Sequence, residues 1–89
     1  MIGSLPDVRE VREGDGKVKE WSDDHGWGVI VSPEVGEVWA HHVHLDQDGF
    51  RALTPGESVE LGYIDMSPGT QDGYRYRAAW VRRVAPRAP

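Results

Sequence analysis

The chain has 89 residues, enough for one small domain with a thin core, and no cysteine, so neither a disulfide nor a thiolate zinc site can brace it. Ten Lys plus Arg against fifteen Asp plus Glu leave a net charge of -5, the wrong sign for a protein that grips duplex DNA by neutralising phosphates. No apolar run approaches the roughly 18 residues of a membrane span, and no basic start followed by an apolar stretch marks a secretory leader, so a cytoplasmic protein without membrane contact is expected.

Eleven glycines and six prolines, with no long helical period, predict short strands joined by turns. In chain order, residues 1–15 carry Gly3, Pro6 and Gly14 among many charged side chains and are expected to form an extended or flexible leader, with a short strand around Val8 to Val11 as an option. The first firm strand is Gly16 to Trp21, with Val18 inward and Lys17 and Lys19 outward. Strict alternation would then bury the Glu20 carboxylate unpaired, which is costly, so a bulge near Lys19 is expected to re-aim the side chains after it. Ser22 to Gly26 is turn chemistry, Trp27 to Val31 the second strand, Ser32 to Gly36 the next turn and Glu37 to His42 the third strand. A long connection follows, with Leu45 as its anchor in the core. Thr54 to Glu57 is a turn before the fourth strand, Ser58 to Ile64, where Val59, Leu61 and Tyr63 alternate with Glu60 and Gly62. Asp65 to Gly73 reads as a polar loop, Tyr74 to Val84 as the fifth strand, and residues 85–89 as a tail.

Five strands without a clear helix predict an all-β fold, a five-stranded antiparallel Greek-key barrel of the OB-fold kind over residues 16–84, since a sandwich normally needs about seven strands or more. On strands of period two, Ile30, Val38 and Ala40 take the core register, which turns Trp27 and Trp39 to the opposite face. Soluble proteins rarely leave a contiguous apolar patch uncovered unless it binds something, and so short a chain has little mass to cover a second face. Two neighbouring outward indoles therefore predict a binding surface.

The order of residues resembles the bacterial cold-shock domain. The family's opening GKVKWFN is matched by Gly16-Lys17-Val18-Lys19-Glu20-Trp21-Ser22, its motif KGFGFI by His25-Gly26-Trp27-Gly28-Val29-Ile30, and its motif VFVHF by Val38-Trp39-Ala40-His41-His42. Its later G-F-[KR]-x-L pattern falls on Gly49-Phe50-Arg51-Ala52-Leu53 and its AANV element on Ala78-Ala79-Trp80-Val81. The resemblance implies a monomeric barrel, with a dimer as the alternative, that binds single-stranded RNA or DNA with little sequence preference and acts as an RNA chaperone or a regulator of transcription and translation. Stacking on aromatic rings is worth about 1–3 kcal/mol per base and needs no large positive charge, so an acidic protein can work this way. Carried over by position, Trp27, Trp39, His41 and Phe50 would form the platform with Trp21 at its edge. Lys17, Lys19 and Arg51 would meet phosphates. The remaining motif positions, His25, Val29 and His42, complete the expected nucleic-acid site.

Three of those positions depart from the family, and so does Glu20. Glu20 replaces a stacking tryptophan, Val29 and His42 replace aromatics, and His25 replaces a lysine and so a permanent charge. Weaker, more selective binding is the expectation, strengthened at mildly acidic pH as His25, His41 or His42 gains a proton. Two rival readings remain. Glu20, Asp23, Asp24 and Glu37 ring the indoles, as the rim of a protein-binding patch would. Separately, Gly36 and His42-Val43-His44 with Asp48 are similar to the first motif of the metal-binding cupin jelly rolls, but no later histidine completes a site. His44 is expected to be a surface loop residue, and neither a metal nor another cofactor is expected. Trp80 is expected to pack against the N-terminal segment. No nucleophile with a base and no phosphate-cradling loop stand in a supporting context, so an enzyme is not expected.

Overall fold

The structure, a computed structural model, describes residues 10–45 and 52–84. Five strands, β1 (Arg12–Ser22), β2 (Trp27–Ser32), β3 (Gly36–His41), β4 (Ser58–Asp65) and β5 (Tyr76–Arg83), close into a barrel in the order β1-β2-β3-β5-β4, with β4 returning to β1. All seams are antiparallel except β3 against β5, a short parallel contact through Val38↔Tyr76 and Trp39↔Arg77. This is the expected OB-fold barrel. Among the described residues there is no α-helix, only one turn of 3-10 helix at His42–His44, and no helix long and apolar enough to cross a membrane.

Closure follows from alternation on every strand. Val18, Ile30, Val38, Ala40, Val59, Leu61, Tyr63, Ala78 and Val81 fill the interior with Leu53, and Leu45 packs on this core as expected. The anticipated bulge is present: the β1-to-β2 register slips between Val18 and Glu20, so Lys19 is the extra residue. Glu20 is thereby turned to solvent opposite Val29, and Trp21 swings inward opposite Gly28.

Strand β1 starts at Arg12, four residues before the expected Gly16, so the leader boundary at residue 15 is corrected. The extra residues pair with β4, from Arg12↔Tyr63 to Lys17↔Ser58, and form the first half of a long bent strand that serves two neighbours. Val8, placed in an optional early strand, lies outside the described residues. On the outer wall of β4 and β5, Trp80 lies flat over Gly62, where a Cβ would come within 2.4 Å of its Nε1, and the Arg82 guanidinium stacks on the indole at 5.1 Å. Trp80 therefore packs on β4, with Glu13, Gly14 and Asp15 of β1 lining the same hollow.

Candidate nucleic-acid interface

The outward register of β2 and β3 collects the rings. Trp27 opposes His41 and Val29 opposes Trp39 across the seam, so both indoles share one face. Their centroids lie 6.1 Å apart at 32°. Trp39 stacks on His41 at 5.8 Å, His41 lies 4.3 Å from His42, and Tyr74 meets Trp27 edge-on at 6.5 Å. The result is a continuous strip running Tyr74, Trp27, Trp39, His41, His42.

The local chain explains the strip. Gly26 adopts φ +75°, a backbone that side chains rarely take, and its missing Cβ leaves room for the His42 ring, whose Cδ2 would lie 2.8 Å from it. The His42 N–H donates to the Gly26 carbonyl at 2.8 Å, pinning the end of β3 to the start of β2. His41 Nδ1 then accepts from the Val43 N–H at 3.3 Å, and His44 Nδ1 accepts from the His41 N–H at 3.0 Å, a reciprocal cap on the 3-10 turn.

Several anticipated residues sit differently from the expectation. Trp39 is on the outward register but only 7% exposed, walled by Trp27, His41 and His44, so the open ring area belongs to Trp27 and the histidines. Trp21, expected at the edge of the strip, faces inward and packs on the core, its ring against Gly28. Val29 points outward yet is 1% exposed, wedged between Glu20 and Trp39, and presents no surface to a ligand. Lys17 opposes Val31 and Ser58, four residues along β2 from Trp27, so the fold does not bring it to the indoles. Lys19 is nearer, but its ammonium is bound to Glu37, whose hydrogen bond and charge push its pKa up. His25 is exposed in the turn, its Nδ1 2.8 Å from the Ser22 hydroxyl. Phe50 and Arg51 lie outside the described residues, as does Asp48 of the metal alternative. Among the described residues no three metal-ligating side chains converge.

The sequence reading missed three members of the site. Tyr74 extends the strip beyond Trp27, and Arg77 stands beside Trp39 on β5. His44 corrects the surface-loop expectation: it is half-buried, edge-on to Trp39 at 5.9 Å and to His41 at 6.3 Å. Burial, then the Arg77 guanidinium and the two neighbouring imidazoles, lower its pKa to about 4.

A stability prediction follows from that shift. In the unfolded chain His44 takes a proton near its ordinary 6.5, whereas the folded ring resists it down to about 4, so the unfolded state binds more protons in between. The His44 contribution to stability should therefore fall as pH drops from 6.5 to 4 and change no further below. Urea midpoints at pH 7, 5.5 and 4 check this, and His44→Gln should lose part of the slope; a variant with the wild-type slope would remove His44 from the account.

A closed five-stranded OB barrel with a ring-lined outer sheet over β2 and β3 defines the class of protein. No family model matches the chain. It is 32% identical over 56 residues to a cold shock-like protein, CspC, of Bacillus cereus, covering 63% of this chain and 86% of the relative. A cold shock-like protein of Thermotoga maritima is 34% identical over 56 residues, covering 63% of this chain and 85% of its own. The cold shock-like protein CspA of Stigmatella aurantiaca is 44% identical over 57 residues, covering 63% and 84%. The chain belongs to the cold-shock protein family.

Proposed function

We propose that the barrel binds single-stranded RNA or DNA, laying bases on the strip formed by Trp27, His41 and His42 with Trp39 as its backing, and that it serves as an RNA chaperone or a regulator of transcription or translation. The observation that carries the reading is the shared outward register of Trp27, Trp39 and His41, with ring spacings of 5.8 and 6.1 Å on one sheet face. Single strands offer open π-faces to such a strip, while a duplex hides them. The acidic balance of the chain fits stacking as the main source of affinity, and no catalytic step is part of the proposal.

Titration with a thymine heptamer at fixed salt, following tryptophan fluorescence, tests the reading. Saturable quenching is expected, because Trp27 is partly open and lies against the ligand. Its absence at high micromolar concentration would sink the proposal and leave the acid-rimmed face to a protein partner.

A further inference from the structure

Arg77 is the described arginine that the fold leaves without a partner. Arg12 pairs with Glu10, Arg75 with Asp65, Arg82 with Glu60 and Arg83 with Glu57, whereas Arg77 makes no hydrogen bond or ion pair with any described residue. Its Nε is sealed from solvent with nothing to donate to, although the side chain as a whole is only partly buried. Buried donors are nearly always satisfied, so an orphan of this kind calls for a reason.

Its surroundings supply one. Arg77 is the register partner of Trp39 across the parallel seam, so its side chain leaves the sheet on the same face as the rings. Trp39 Nε1 is a second sealed donor without an acceptor. His44 uses Nδ1 to accept from the His41 N–H, so the neutral ring carries its proton on Nε2 and adds a third donor. The corner where β5 meets the strip thus gathers three donors, none with an acceptor among the described residues.

We infer that Arg77 is a specificity-determining residue that reads the edge of a base lying on the strip, accepting guanine and rejecting adenine. The inference rests on the single-strand reading above. A base stacked over β2 and β3 turns an edge toward β5, one strand spacing of about 4.8 Å away, and Arg77 is the outward side chain waiting there. Guanine presents O6 and N7 to a guanidinium fork, whereas adenine places its amino donor where O6 would be. A phosphate would also take these donors, but Arg77 stands beside an indole on the sheet face, where base edges lie.

The test uses thymine heptamers carrying one guanine or one adenine at each successive position, bound to the wild-type protein, Arg77→Ala and Arg77→Lys at two salt concentrations. The wild type is expected to favour guanine about tenfold at one position. Arg77→Ala should bring that ratio near one by weakening the guanine strand far more than the adenine and plain thymine strands, and Arg77→Lys, which keeps the charge without the fork, should also lose the preference. The inference is overturned if the wild type binds guanine and adenine strands alike at every position. It is also overturned if Arg77→Ala weakens all strands equally and lowers the salt slope by about one, the mark of a phosphate contact. Failure of the plain thymine heptamer to bind the wild type would overturn the single-strand reading itself, and the inference with it.

Discussion

Trp27→Ala is expected to weaken binding of a single-stranded heptamer by about 1–3 kcal/mol, roughly 5- to 150-fold, at fixed salt, with the barrel still folded. Trp27 is the partly open indole, outside the core, so truncation removes stacking area without opening a cavity in the interior. Trp39→Ala should behave differently. Its ring is 7% exposed and backs both Trp27 and His41, so its loss should lower the urea midpoint as well as the affinity. Affinity measured by fluorescence anisotropy on a labelled strand, alongside denaturation of each variant, separates the two effects. Unchanged affinity in Trp27→Ala would remove the strip from the account of binding.

Gly28→Val should destabilise the barrel by about 2–3 kcal/mol or more, the upper range for forcing atoms into a filled core. A Cβ at Gly28 would lie 2.3 Å from the Glu20 carbonyl oxygen and 2.7 Å from the Trp21 ring. The first contact is backbone, so relief requires β1 and β2 to part at the bulge, and the bulge is what turns Glu20 out and Trp21 in. The variant should show a lower urea midpoint, and, if it still folds at low temperature, weaker binding through displacement of Trp27 next door. A midpoint within experimental error of the wild type would show that the seam can yield at little cost.

How far these features could be read from the chain depended on whether their cause was local. The barrel and its core register were legible, because Val59, Leu61 and Tyr63, or Ile30 with Val38 and Ala40, repeat every second residue. The bulge was legible from the cost of burying Glu20. That same bulge already turned Trp21 inward, and only the family resemblance drew it to the strip. The start of β1 was hidden for a physical reason: its inward positions are Gly14 and Gly16, where a Cβ would come within 3.1 Å of Glu34 and 2.5 Å of Ile30, so no apolar period marks the strand. The half-burial of His44 and the place of Arg77 depend on β5 closing against β3, a pairing between segments almost forty residues apart that no local pattern announces.

That closure is the thinnest join in the cylinder, two register pairs where other neighbours share five or more. Trp39 and Arg77 face each other across it. An oligonucleotide of the proposed kind, resting on one side and gripped from the other, would act as a stitch over the hem, so occupancy and mechanical closure of the wall would rise together.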